Sequence, residues 1–177
     1  MNKKYVFTGI TKVVGGIVLR QIKRIVDNVI GGWIEKESNL RPEGSAWVSG
    51  NAQVYGDAQV YGDAQVYGDA QVYGDARVYG NARVSGNAWV YGNAQVYGNA
   101  RVSGNARVYE RWHCLNLLNL TYYITVTPQN AVVGCQIKTH KEWLKITRKE
   151  AVLMGLPANK YATFKTLLKI LFKEVSK

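Results

Sequence analysis

Gly50-Asn51-Ala52-Gln53-Val54-Tyr55-Gly56-Asp57-Ala58-Gln59-Val60-Tyr61 is two copies of one six-residue unit, Gly-Asn/Asp-Ala-X-Val-Tyr/Ser. The unit runs eleven times without a gap from Gly44 to Tyr109. Its apolar positions are Val and Ala four residues apart, Val48 with Ala52 and onward to Val102 with Ala106. An amphipathic helix needs apolar residues about every 3.6 positions, and a half-buried strand alternates every two. A period of six held this long fits neither. The Gly-Asn and Gly-Asp pairs are turn signals, because Gly takes positive φ at no steric cost and Asn or Asp tolerates the left-handed region. Each unit is therefore a short strand and a corner, and three units close a triangular coil of eighteen residues. Val and the small Ala point inward, where a larger corner side chain would overpack.

Stacking at eighteen residues defines columns. Val48, Val66, Val84 and Val102 form one interior column, Val54, Val72, Val90 and Val108 a second, and Val60, Val78 and Val96 a third. Outside, one face shows Ser49, Tyr67, Ser85 and Ser103, flatter than the others and easily covered by a terminal domain or another subunit. The other two show Tyr55, Tyr73, Tyr91 and Tyr109, and Tyr61, Tyr79 and Tyr97. Tyrosine columns suit a β surface through ring-on-ring packing, and Tyr is also enriched where proteins recognise partners. The corner acids Asp57, Asp63, Asp69 and Asp75 occur early, and Arg77, Arg83, Arg101 and Arg107 occur late, so the prism is acidic at one end and basic at the other.

The formal charge of +11 resides at the chain ends, about +4 in residues 1–43 and about +7 in residues 110–177, around a neutral repeat. Such a balance attracts acidic partners. Nucleic acid is one, although no zinc-finger or helix-turn-helix spacing accompanies it. No window is long and apolar enough to span a membrane and no signal peptide is evident, which predicts a cytoplasmic protein. Cys114 and Cys135 are expected to be reduced thiols.

The repeat also resembles hexapeptide-repeat proteins, and that resemblance implies a left-handed parallel β-helix. Gly31-Gly32-Trp33-Ile34-Glu35-Lys36-Glu37-Ser38-Asn39-Leu40, followed by Asn/Asp-Ala-X-Val-Tyr-Gly units, is similar to a group of small hexapeptide-repeat proteins of phages and prophages of Gram-negative bacteria. The similarity covers roughly residues 3–113, and the segment before Gly31 is shorter than in that group. It implies an accessory protein that binds and inhibits a host factor, a CRISPR-type defence complex being one candidate. Two other readings stand beside it. One is a hexapeptide-repeat acyltransferase, which needs a histidine base. The other is a self-assembling scaffold.

The expected architecture is mainly β: a β-rich cap over residues 1–43, the β-helix over 44–109, and an α+β domain over 110–177. In the cap, strands run to about Lys23, the Gly31-Gly32 pair marks a tight passage, and Trp33 is the apolar plug for the open end of the prism. After the repeat, Tyr122–Val126 and Ala131–Ile137 read as a hairpin. Thr139 with Glu142 three residues later is a capping-box signal for a helix from about His140 to Leu153. A final amphipathic helix is expected from about Lys160 to Val175.

Partner-binding residues expected from this reading are Tyr55, Tyr61, Tyr73, Tyr79, Tyr91, Tyr97, Arg83 and Arg101, with the lysine stripe Lys165, Lys169 and Lys173. Phe164, Leu168, Leu171 and Phe172 are expected to pair subunits of a homodimer or homotrimer. The partner would be a host protein or nucleoprotein complex, with direct nucleic-acid contact as a further route. His113 and His140 both fall outside the coils, and His113 beside Cys114 is the one nucleophile–base neighbourhood in the chain. No catalytic residue, cofactor or metal site is assigned.

Overall fold

The computed structural model describes residues 3–110, 114–117 and 124–176, with 115–117 described through the backbone alone. His113 and the Tyr122-Tyr123 start of the expected hairpin lie outside the described residues. Along the chain come β1 (Tyr5–Val14), β2 (Ile17–Arg24) and β3 (Ile30–Ile34), then one two-residue strand from each repeat unit. These stack as three parallel sheets. The serine face holds β4 (Trp47–Val48), β7 (Gln65–Val66), β10 (Arg83–Val84) and β13 (Arg101–Val102). A second face holds β5 (Gln53–Val54), β8 (Gln71–Val72), β11 (Trp89–Val90) and β14 (Arg107–Val108). The third, the tyrosine face, holds β6 (Gln59–Val60), β9 (Arg77–Val78) and β12 (Gln95–Val96).

Strands pair eighteen residues apart, Gln53 on Gln71 and Val54 on Val72, for example. The residues on either side of each strand Val donate their N–H to the following coil, as in Gln53 to the Ala70 carbonyl (2.9 Å) and Tyr55 to that of Val72 (3.0 Å). Every repeat Val and Ala is buried in one continuous core. The corners hold because a glycine precedes each Asn or Asp. At Gly62, φ is +69°, and a Cβ there would lie 3.0 Å from the Gly80 nitrogen of the next coil.

The stacking begins before the repeat does. β3 pairs in parallel with β5, Trp33 opposite Gln53 and Ile34 opposite Val54, and Leu40 bridges to Val60. The offset here is twenty residues, so residues 31–41 form an irregular first rung two residues longer than a coil. Its plug is Ile34 and Leu40, both fully buried at the ends of two interior columns. Trp33 is not the plug. It occupies the outward position that Gln takes in the repeat, is half-buried, and lies under the Lys12 ammonium (4.3 Å). Alternation within a strand demands this, since Ile34 next to it already points inward. Asn39 fastens the rung, donating to the carbonyls of Gly56 (3.0 Å) and Ala58 (2.9 Å) while accepting from the Lys36 N–H (2.9 Å). β1 and β2 form an antiparallel hairpin turned at Gly15-Gly16 and added to the edge of this sheet. Gly9 (φ +89°) does not break β1 but sits within its register shift.

The C-terminal domain is a four-stranded antiparallel meander, β15 (Leu115–Leu117), β16 (Ile124–Val126), β17 (Asn130–Val133) and β18 (Gln136–Thr139), with three helices. The expected single return strand Ala131–Ile137 is two strands, because Gly134 takes φ +60° and opens a two-residue hairpin loop with Cys135. The expected helix His140–Leu153 is also two, α1 (His140–Lys145) and α2 (Arg148–Leu153). Thr147 and Glu150 form a second capping box that restarts the helix. α3 (Tyr161–Val175) closes a separate core in which Phe164, Leu168, Leu171, Phe172 and Val175 surround Trp143. Those apolar residues are consumed inside the chain and are not available to pair subunits.

Candidate functional site

Two outward positions per strand define the surface, the X residue before Val and the Tyr or Ser after it. Parallel in-register pairing places like on like. Tyr55, Tyr73, Tyr91 and Tyr109 stack with ring centroids 5.0, 5.0 and 5.4 Å apart. Tyr61, Tyr79 and Tyr97 stack at 5.0 and 5.5 Å, nearly parallel. Each inner ring therefore has both of its flat sides occupied by neighbours, and only edges and hydroxyls face outward. Two hydroxyls lean across to the next coil, Tyr55 toward Gln71 (3.4 Å) and Tyr79 toward Gln95 (3.5 Å). Burial together with the next ring in the ladder holds the Tyr55 and Tyr73 hydroxyls above the usual phenol range.

The acidic end of the prism has a structural cause. Asp57 accepts from the Lys36 ammonium (2.8 Å), Asp63 from the Ser45 hydroxyl (2.7 Å) and Asp69 from the Asn51 amide (3.0 Å). Asp57, Asp63 and Asp69 thus join their corners to donors in the preceding rung or coil. The hydrogen bonds from Lys36 and Ser45 hold Asp57 and Asp63 below the ordinary carboxylate range. In later coils Asn105 accepts from Asn87 (3.4 Å), so the charge is no longer needed at the corner.

The basic end differs. Arg107 lies over Trp89 (4.7 Å), and Arg101 donates to the Gly134 carbonyl (3.4 Å). Arg77 and Arg83 are exposed. Side chains of the C-terminal meander bond to the rim of the last coil, at the serine face and at the adjoining β14 of the second face. Thr125 Oγ1 accepts from the Arg101 N–H (3.0 Å), Gln129 Oε1 accepts from the Arg107 N–H (2.7 Å), and Asn130 donates to the Ser103 carbonyl (3.1 Å). Thr125 and Gln129 supply the acceptors that a further coil would have given, and Asn130 adds a donor. The tyrosine face receives no added strand among the described residues apart from the Leu40 bridge, and Arg41 rests over Tyr61 (5.1 Å).

The lysine stripe divides. Lys165 donates to the carbonyls of Trp143, Leu144 and Ile146 and so caps the end of α1, where burial pushes its ammonium below the ordinary range. It is structural, whereas Lys169 and Lys173 are exposed. His140 is spent as well. Its ring stacks on Phe172 (4.0 Å) and Nε2 contacts the Thr127 carbonyl (2.8 Å). An apolar pocket of about 320 Å³, floored by Trp143 and rimmed by Cys135, Met154 and Leu156, has no charged side chain in its lining.

Cys114 is part of the solenoid core. It stands eighteen residues after Val96, the spacing of one coil. Burial pushes its thiol up to about 12. Cys135 is exposed on the β17–β18 loop. A thiol reagent in native buffer is therefore expected to modify one thiol per chain, at Cys135, with Cys114 reacting only after denaturation. Peptide mapping that found rapid native labelling of Cys114 would contradict its place in the core.

The repeat matches a family model described as the YdcK beta solenoid repeat, over residues 52–68, 70–82, 76–92 and 94–110. The repeat is similar to that β-solenoid repeat. The matched segments lie between Ala52 and Glu110, leaving the N-terminal rung and the C-terminal domain outside the match. No curated protein matches the chain. Among the described residues, no group of three His, Cys, Asp or Glu side chains gathers as a metal cluster, and no helix is long and apolar enough to cross a membrane.

Proposed function

We propose that the chain is a non-catalytic binding protein, wound as a left-handed β-helix, whose tyrosine face docks on a host protein. The observation that carries this reading is the stacked ladder Tyr61, Tyr79 and Tyr97, on a sheet to which neither terminal domain adds a full strand among the described residues. Ring edges and hydroxyls at coil spacing, beside Arg41 and Arg77, make a flat amphipathic surface of the kind protein interfaces use. Single-stranded nucleic acid is bound by stacking bases on open ring faces, and the inner rings here have none. A host protein is therefore favoured over a nucleic acid as the direct partner. The resemblance to phage-borne repeat proteins directs the search to cytoplasmic host factors, defence complexes among them.

The test is a nuclease-treated pull-down from host lysate with the wild type, a Tyr79→Ser/Tyr97→Ser variant and a Lys169→Glu/Lys173→Glu variant. Serine occupies the equivalent position at Ser85 and Ser103, so the coil accepts it. The wild type and the lysine variant are expected to retain one stoichiometric host protein, and the tyrosine variant to lose it. Retention by the tyrosine variant, or loss of all capture on nuclease treatment, would sink the reading.

A further inference from the structure

On a different sheet, Arg83 and Arg101 stand in register on adjacent strands of the serine face. Strand spacing puts their backbones about 4.8 Å apart, so two guanidinium groups leave the same face side by side. Among the described residues neither forms an ion pair. The three salt bridges there join Lys3 to Glu37, Arg24 to Asp27 and Lys36 to Asp57, all toward the N-terminal end. The absence of a carboxylate is written into the sequence: from Ala76 to Lys141 the only acid is Glu110, against seven Lys or Arg. The pair lines a cleft of about 120 Å³ between the solenoid and the C-terminal meander. Ser85 and Ser103 share the solenoid wall with Tyr67, and Val132, Cys135 and Ile137 form the opposite wall. Arg101 is already positioned, with one Nη1–H on the Gly134 carbonyl of the loop that closes the cleft.

Two stacked, uncompensated guanidinium groups repel unless an anion bridges them, and each offers a planar fork suited to a tetrahedral oxyanion. The volume fits one phosphoryl group and little more on the charged side, while Tyr67, Val132 and Ile137 suit an apolar substituent. We propose that this cleft is a binding site for a phosphate monoester, its dianion held between Arg83 and Arg101 and its organic part against the meander. The site is independent of the tyrosine face.

Calorimetric titration of the full chain with phenyl phosphate tests this, with inorganic phosphate and benzoate as comparisons. Saturable binding is expected, strongest for phenyl phosphate, weaker for inorganic phosphate because it lacks the apolar contact, and weakest for the singly charged benzoate. Arg83→Gln or Arg101→Gln should each weaken phenyl phosphate about ten- to a hundredfold, the range for losing a charge-assisted hydrogen bond. Folding is protected by precedent, since Gln65 already stands in register with Arg83. A second measurement uses Cys135 as a reporter. Its alkylation by anionic iodoacetate, relative to neutral iodoacetamide, should be accelerated by the arginine pair and suppressed by phenyl phosphate. No saturable binding by the wild type, or binding and alkylation unchanged in the double Gln variant, overturns the assignment.

Discussion

Gly32→Val is expected to strip the irregular first rung from the solenoid. The backbone at Gly32 is ordinary, so the requirement is for space and not for positive φ. A Cβ there would lie 2.7 Å from the Ala52 carbonyl oxygen, 2.8 Å from Val48 Cγ1 and 3.3 Å from the Ser49 nitrogen. Two of these are backbone atoms, and the Ala52 oxygen is the acceptor for the Trp33 N–H (2.9 Å) that seats the rung. The clash and the lost bond therefore coincide. Overpacking costs about 1–3 kcal/mol, and the upper end is expected because the coil beneath cannot yield without breaking its own ladder. In a stack that is stabilised by nearest neighbours, the damage should remain local. Hydrogen exchange is expected to lose protection at Trp33 and Glu35 while Tyr73 and Arg77 keep theirs. Gly15→Asn provides the contrast. Its Cβ meets nothing within 4 Å and Asn tolerates the φ of +55° there, so that variant should melt close to the wild type. Equal melting of both variants, with Trp33 still protected, would show that the first rung does not stack as described.

The same position shows what the sequence made legible. Strict period, turn pairs and inward Val-Ala positions are local properties, and from them the columns, the three faces and the eighteen-residue register follow. Gly31-Gly32 could be read as a tight passage because adjacent glycines before an apolar run have few other uses. The orientation of Trp33 could not be read so simply, because a lone Trp-Ile pair carries no period to say which residue points inward. Cys114 stands eighteen residues after Val96, but the period is obscured where Glu110-Arg111-Trp112 replaces Gly-Asn-Ala. The second capping box at Thr147–Glu150 was likewise present, masked by the continuous helical periodicity of its surroundings.

Function was less legible, because recognition depends on which surface is left open. The columns Tyr55–Tyr109 and Tyr61–Tyr97 look alike in sequence, yet the sheet of the first is extended by β3, β2 and β1. Arg83 and Arg101 gain their cleft only from a meander some thirty residues further on, and Lys165 loses its freedom to the end of α1. Such assignments depend on how distant segments dock, which no six-residue period encodes.

Trp143→Ala should unfold the C-terminal domain while leaving the coils standing. Trp143 is fully buried, meets Phe164 edge-on (6.2 Å between centroids) and donates Nε1–H to the Ala131 carbonyl (2.8 Å). Removing it deletes the largest fully buried side chain described and takes a hydrogen bond from β17. Such truncations cost about 3–5 kcal/mol, a large share of what a small domain has. The buried residues of the domain form a cluster separate from the solenoid core, so the loss need not spread. What joins the two is the rim, where Thr125, Gln129 and Asn130 bond to Arg101, Arg107 and Ser103. Protection is therefore expected to vanish from α3 and to weaken at Arg101 and Arg107, with Tyr55 to Tyr79 unaffected. Trp143→Phe, which keeps much of the packing but leaves the Ala131 carbonyl without its indole donor, should fall between the two. A single transition shifted for all amides together would instead mean that the rim contacts bind the two cores into one cooperative unit. The basic cleft would then be rigid by construction, with no independent motion of the meander against the arginine pair.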